Sequence, residues 1–245
     1  MSPDLQVSAK GCPLTYQVNN FKETLSMTKT IAVIGGTGNE GPGLALRWAK
    51  SGQYQVIIGS RQQEKADRVA GELNARLGQD LIRGMVNPEA AAAADLAVLT
   101  VPYSAHAPTL ESIRAHLKGK TLVDVTVPLK PPKVSRVHIP AGGSATAEAQ
   151  ALVGDDVRVV AAFQSVGAAH LDDPNHPIEC DVLVCGDDKQ AKAEAIALAR
   201  AAGMRGLDAG PLQNAVVVEG LTALLIGINI RYKVKGAGIK ITGLD

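Results

Sequence analysis

Six residues, Gly36-Thr37-Gly38-Asn39-Glu40-Gly41, have the spacing G-x-G-x-x-G. They follow the apolar run Thr30-Ile31-Ala32-Val33-Ile34 and precede a helical pattern from Leu44 to Ser51 that stops at Gly52, so they join a buried strand to a helix. Such a turn points main-chain N–H groups and a helix amino terminus at an anion, and its missing side chains let a pyrophosphate approach. The next informative position is the end of the following apolar run, Val56-Ile57-Ile58, where Gly59-Ser60-Arg61 stand. An NAD site places Asp or Glu there to accept from the ribose 2′-hydroxyl. Ser60 and Arg61, with Lys65 one turn into the next helix, suit a 2′-phosphate instead, so the expected dinucleotide is NADP(H).

The elements that hold these groups follow from the rest of the pattern. A charged helix is expected from Gln62 to about Leu77, strands at Leu81 to Met85 and Leu96 to Val101, and a helix from Ser104 to Leu117. Further strands are expected at Thr121 to Thr126 and Val157 to Phe163. Strands alternating with helices at this spacing imply an α/β fold with a doubly wound, mostly parallel Rossmann-type sheet whose ligands sit beyond the carboxyl ends of the strands. The loops Gly35–Gly41, Gly59–Arg61, Thr100–Ser104, Thr126–Lys133 and Gln164–His170 are therefore the ones to carry a site. A strand at Asp181 to Cys185, a helix at Asp188 to Ala202 and a long apolar helix at Gln213 to Tyr232 form the rest. The expected organisation is an extension at 1–29 read as disordered, an NADP-binding domain at 30–163 and a smaller C-terminal α/β domain at 164–245. Met27 stands just ahead of the first strand and is an alternative start to Met1.

Composition excludes several classes. The chain has 245 residues, 46% of them hydrophobic, enough for a substantial core. Its 25 Lys plus Arg nearly balance 24 Asp plus Glu, and only 3% of residues are aromatic, which argues against a nucleic-acid role. Cys12, Cys180 and Cys185 have neither disulfide nor zinc spacing; they read as thiols of a reducing, cytoplasmic protein without a metal. The apolar stretch Leu221 to Ile230 reads as too short to cross a membrane. No basic segment followed by an apolar one opens the chain, so no signal peptide is expected.

Carbonyl reduction by a nicotinamide needs a proton donor beside the hydride path. Tyr54, Tyr103 and Tyr232 have no Lys four positions on, and the five histidines are scattered, with His106 and His116 read as surface residues of one helix. A site of this kind suits an acceptor that takes a hydride directly at a ring carbon, as a flavin or deazaflavin does.

The segments GGTGNEGPGLALRWAKSG, VIIGSRQQEKA, DLAVLTVPYSAH, CDVLVCGDD, LDAGPLQNAVVVEGLTALL and RYKVKGAGIKITGL, taken in order, resemble the NADPH-dependent F420 reductase family. The likeness runs from Thr30 to Leu244. It implies hydride transfer between C4 of the nicotinamide of NADP(H) and C5 of the deazaflavin of coenzyme F420, in a homodimer or larger homo-oligomer. Carried onto this sequence, it places Thr37, Gly38, Asn39 and Glu40 on the phosphate loop and Ser60, Arg61 and Lys65 at the 2′-phosphate. Thr100, Val101 and Pro102 fall on the nicotinamide wall. Gln164, Ser165, Val166, Gly167 and Ala168 fall on the loop that shapes the hydride gap, where Val166 and Ser165 act by positioning. Thr222 falls near the deazaflavin. The chain departs from the family pattern at Gln164, Val216 and Gly220, where some archaeal members carry His, Arg and Ser.

The polyanionic tail of the deazaflavin needs cations, and Arg231, Lys233, Lys235 and Lys240 supply four, with no acid before Asp245. Lys130, Lys133 and Arg136 form a second basic cluster, read as a solvated loop. Glu219 is expected to cap a neighbouring element or pair with one of the terminal cations. Two other readings fit the dinucleotide loop: an NADPH-dependent flavin, ferric or cupric reductase, and a non-catalytic NADP sensor.

Overall fold

The computed structural model describes Thr28 to Leu244. Cys12 and most of the expected 1–29 extension lie outside the described residues. Strands β1 (Lys29–Ile34), β2 (Tyr54–Ser60), β3 (Ile82–Val86), β4 (Leu96–Leu99), β5 (Thr121–Asp124), β6 (Arg158–Ala161), β7 (Asp181–Gly186) and β8 (Arg205–Asp208) form one sheet in the order β3-β2-β1-β4-β5-β6-β7-β8. The helices are α1 (Gly41–Lys50), α2 (Gln63–Leu77), α3 (Asn87–Ala93), α4 (Tyr103–Ile113), α5 (Ala145–Val153), α6 (Ala168–Leu171), α7 (Lys189–Ala201) and α8 (Ala215–Tyr232).

Strands β1 to β6 are parallel, β7 runs antiparallel to β6, and β8 is parallel to β7. The near-continuous apolar runs of the sequence are explained by two covered faces. Along β1, Ile31 and Val33 join the core that contains Trp48 and Phe163, while Ala32 and Ile34 join the one that contains Leu110 and Ile113. The chain reverses direction across the sheet at β1, between β2 and β4, and this opens the crevice in which such sheets bind ligands.

Residues from 164 onward continue the same sheet, with Val160 opposite Gly186 and Ala161 opposite Cys185. The terminal segment returns to the start of β7: Asp181 N–H donates to the Ile239 carbonyl at 2.7 Å, and Arg205 donates to both Asp181 oxygens at 2.8 Å and to the Ile241 carbonyl at 2.7 Å. Arg205 holds the Asp181 carboxyl below the usual carboxylate range.

The short helix α6 lies within the segment expected as a loop, and two longer elements are not marked by apolar periodicity. Helix α5 is capped by Ser144, whose Oγ accepts from Ala147 N–H at 3.0 Å, and Ser144 ahead of an alanine-rich run was the available signal. Strand β8, Arg-Gly-Leu-Asp, is only partly buried and has no apolar run to read.

Two expectations are corrected. His106 is 2% exposed, not a surface residue; its Nε2 lies 2.7 Å from Asp124 Oδ2, a partner brought by β5. Burial is the largest influence on the His106 pKa and lowers it, but the bond to Asp124 and the negative charges of Asp124, Glu148 and Glu219 together leave the imidazole above its ordinary value. The reading that the apolar stretch is too short to cross a membrane is corrected as well: Leu212–Tyr232 is long and apolar enough by length and composition alone. It is nonetheless tied into the fold, because Glu219, 2% exposed, accepts from Ala145 N–H, Thr146 N–H and the Thr146 hydroxyl at 2.7 to 2.9 Å. Glu219 thus caps α5, one of its two expected roles. Burial pushes its carboxyl up to about 7, against the pull of those three donors.

Candidate active site

The turn after β1 is built by close main-chain approach. A Cβ on Gly41 would lie 2.6 Å from Gly36 Cα and 2.9 Å from Thr100 Oγ1, so loop, helix start and the end of β4 meet with no room for a side chain. Gly36 N–H is spent inside the protein, on the carbonyls of Val33 at 3.1 Å and Gly59 at 2.9 Å. Gly36 therefore serves by packing rather than by donating to a ligand. Gly38 N–H is likewise bonded inside the loop, to the Gly35 carbonyl at 3.2 Å, but a Cβ on Gly38 would meet only Gly35 O and Thr100 O, both at 3.6 Å, which is ordinary contact. Protein packing does not demand glycine at 38, whereas the close approach of a pyrophosphate does. The residues thus fit the dinucleotide that the loop implies.

A groove of about 550 Å³ opens over this loop, lined by Thr37 and Gly38, by Ser60, Arg61 and Lys65, and by Thr100, Val101 and Pro102. The phosphate loop, the basic end of β2 and the wall after β4 therefore come together as the sequence implied. Arg61 and Lys65 are exposed on the groove, while Ser60 is buried and its Oγ accepts from Gln62 N–H at 3.3 Å. Asn87 also lines the groove and was missed by the sequence reading. Its Oδ1 accepts from Gly35 N–H at 3.1 Å and lies 2.7 Å from where a Gly59 Cβ would stand, so it clamps the ends of β1 and β2 together. The Asn87-Pro88 start of a helix was its signal.

Glu40 is half-buried at the start of α1 with no side-chain capping bond, and burial pushes its carboxyl up to about 7. A phosphate arriving at this loop favours the neutral carboxyl still further, so binding takes up a proton. NADPH affinity is expected to fall as the pH rises through about 7, and Glu40→Gln is expected to flatten that profile. Titration of NADPH fluorescence at several pH values checks this; parallel profiles for wild type and variant would remove Glu40 from the binding equilibrium.

On the other side, Gln164 is 3% exposed: its Nε2 donates to the Asp124 carbonyl at 2.8 Å, and its own carbonyl accepts from Thr222 Oγ1 at 2.7 Å. Gln164 Oε1 is a buried acceptor without a partner among the described residues. Ser165 and Val166 are buried, Ser165 Oγ donating to the Asp181 carbonyl at 3.3 Å and Val166 packing in the main core. Neither side chain is displayed in the groove, so any effect they have on a ring passes through the backbone they hold. Gly167 and Lys240 line a second cleft of about 510 Å³ between the loop after β6 and the terminal segment. Arg231, Lys233 and Lys235 are exposed, and none of the three lines that cleft.

Residues 30–128 match the model of the family described as NADP oxidoreductase, coenzyme F420-dependent. The chain is 42% identical to the F420-dependent NADP reductase of Methanocaldococcus jannaschii, over 88% of this chain and 99% of that protein. It is 43% identical to the enzyme of the same name from Methanothermobacter thermautotrophicus, over 89% of this chain and 97% of that protein. The chain belongs to this family of F420-dependent NADP oxidoreductases. Its fold is likewise similar to the crystal structure of a putative F420-dependent NADP reductase from Arthrobacter sp. FB24, with a TM-score of 0.72, 25% identity and coverage of 86% of this chain and 98% of that one. Within that family frame, His106 sits behind the groove wall on Asp124, and His170 Nε2 is 2.8 Å from the Gly236 carbonyl. Neither imidazole lines the groove; His170 lines the second cleft beside Gly167 instead.

Proposed function

We infer that this protein is an oxidoreductase that transfers a hydride between C4 of the nicotinamide of NADP(H) and C5 of the deazaflavin of coenzyme F420. The observation that carries the reading is the near full-length likeness to F420-dependent NADP reductases, joined here to an acid-free, basic end of β2. Residues 30–163 serve as the NADP half and residues 164–245 as the deazaflavin half. The ring lies between the wall Thr100-Val101-Pro102 and the loop Gln164–Gly167, with Thr222 beside it. Mixing the protein with NADPH and oxidised F420 tests this through the visible absorbance of the deazaflavin. Bleaching supports it; reduction of FAD or FMN with none of F420 would make the protein a flavin or metal reductase, and NADPH binding without turnover a sensor.

The deazaflavin tail is anionic, and we assign it to Lys233, Lys235 and Lys240, with Arg231 close by in sequence. Joint replacement of these three lysines by Gln is expected to raise the KM for F420 severalfold, with that for NADPH nearly unchanged. The difference should shrink with salt, since exposed charges are screened over about 10 Å at 0.1 M. Equal weakening for both substrates would assign the lysines to assembly instead.

The protein acts as a cytoplasmic homodimer in this reading. Val217, Leu224 and Ile228 are 63%, 54% and 42% exposed, and with half-buried Leu221 they make a stripe along α8 at spacings that face one neighbour. Replacing Leu224 and Ile228 by Lys is expected to halve the mass in analytical ultracentrifugation; an unchanged mass would move the interface elsewhere.

A further inference from the structure

Helix α1 begins at the phosphate loop, and its far end grips the opposite side of the site. Arg47, in its last turns, is 5% exposed and is surrounded by main-chain carbonyls. Its Nη2 shares two hydrogens among His170 O at 2.8 Å, Asp173 O at 2.6 Å and His176 O at 2.8 Å, while Nη1 donates to Ala202 O at 3.0 Å and Nε, more weakly, to Leu171 O at 3.4 Å. No carboxylate forms a salt bridge with it among the described residues. Burial lowers its pKa, and the nearby Asp173 charge works the other way. A buried guanidinium is costly unless its donors are met, and here the acceptors come almost entirely from residues 170–176. That segment can satisfy Arg47 in the conformation it has, and any displacement leaves a buried cation short of partners.

The neighbouring side chain holds the other end of the same loop. Trp48 meets Phe163 edge to face, with ring centroids 5.9 Å apart at 77°, and its Nε1 donates to the Leu198 carbonyl at 2.9 Å. Phe163 has a φ of +74°, a left-handed conformation unfavourable for a bulky residue, so it persists only where packing enforces it. Its carbonyl accepts from Val166 N–H at 3.0 Å, which sets the turn of the next three residues. Helix and loop are also pressed together, since a Cβ on Gly43 would lie 2.5 Å from Leu171 Cβ. Consecutive residues of one helix therefore clamp the segment 164–169 from both sides, at Phe163 and at 170–176.

We propose that Arg47 is a positioning residue for hydride transfer: with Trp48 it locks the loop Gln164–Ala168 to the helix whose amino end carries the dinucleotide loop, and so sets the separation of the two rings. This rests on the reading of the protein as an NADP–F420 hydride transferase. One rigid helix then references both cofactor sites to each other. Hydride transfer needs the reacting carbons at about 3–3.5 Å, and an error near 1 Å costs on the order of a hundredfold in rate. The nucleotide contacts lie at the opposite end of α1 and do not change when Arg47 does.

Arg47→Lys keeps the charge but has three donors on a point cation in place of a planar fork, so it cannot meet the same set of carbonyls. Trp48→Phe, which keeps apolar packing and removes the bond to Leu198, is the milder second variant. Both are compared with wild type by NADPH titration, by single-turnover hydride transfer to F420 with NADPH and its C4-deuterated form, and by amide hydrogen exchange of 164–176 with NADPH bound. Expected for Arg47→Lys are a drop in hydride rate on the order of a hundredfold, an NADPH Kd within about threefold of wild type, the change in factor being well under the tenfold that 1.4 kcal/mol represents, and faster exchange across 164–176. Trp48→Phe should shift rate and exchange in the same direction by less. An unchanged hydride rate in folded Arg47→Lys, or equal losses in rate and NADPH affinity, overturns the proposal. Absence of hydride transfer to F420 by the wild type overturns the underlying reading instead, and this proposal with it.

Discussion

Arg61→Asp is expected to weaken NADPH binding by about 2 kcal/mol or more, about thirtyfold, and to leave NADH affinity unchanged or improved. Arg61 is exposed on the groove at the end of β2, with Lys65 beside it and buried Ser60 turned into its own loop. A charge-assisted bond to a 2′-phosphate contributes roughly 1.5–3 kcal/mol, and Asp replaces it with repulsion of the same group. The same carboxylate accepts hydrogen bonds from a ribose 2′-hydroxyl, so the cost is specific to the phosphorylated nucleotide. Calorimetric titration of both nucleotides into wild type and variant measures the change. Equal affinities of the wild type for NADPH and NADH would end the assignment of the β2 end to the 2′-phosphate.

A larger loss is expected from the smallest change in the phosphate loop. Gly41→Ala puts a methyl 2.6 Å from Gly36 Cα and 2.9 Å from the Gly36 carbonyl, both main-chain atoms that cannot swing away. The loop must open, and in the proposed NADP site the donors it would offer the pyrophosphate would be lost together. At roughly 1.5–3 kcal/mol for each charge-assisted bond, two of them correspond to at least a hundredfold in NADPH Kd. The strand and helix beyond the turn have their own core contacts, so the variant should still melt cooperatively at a lower temperature. Gly38→Ala, where the added methyl meets nothing nearer than 3.6 Å of protein, should leave stability almost untouched while still weakening NADPH. Wild-type affinity in both variants would show that the nucleotide does not sit against this turn.

How much of this was legible follows from the range of the interactions involved. The dinucleotide side is local in sequence: a strand, a glycine turn and a helix start occupy one short stretch, and the basic end of β2 is contiguous with its strand. Apolar periodicity and turn chemistry encode such units directly, so the sheet and the phosphate loop could be read before any coordinates. The family was legible as well, through segments spread along the whole chain, and the full-length relatives agree with it.

What sequence could not decide is long-range. That His106 is buried depends on Asp124, supplied by strand β5, 18 residues away from its place on α4. That Ser165 and Val166 turn inward depends on β7 and the main core. In the sequence Arg47 stands near the end of a helix, the place where a cation ordinarily meets solvent and the helix dipole. Its five acceptors lie between 123 and 155 residues along the chain, and they are main-chain carbonyls, which every residue possesses and no side-chain pattern marks. The sequence alone determined the parallel strands β1 to β6, the phosphate loop and the NADP(H) preference expected of it, because local periodicity and turn residues carry them. The tertiary structure alone decided which charges are buried and which distant carbonyls surround Arg47, because only packing brings distant backbone around a side chain.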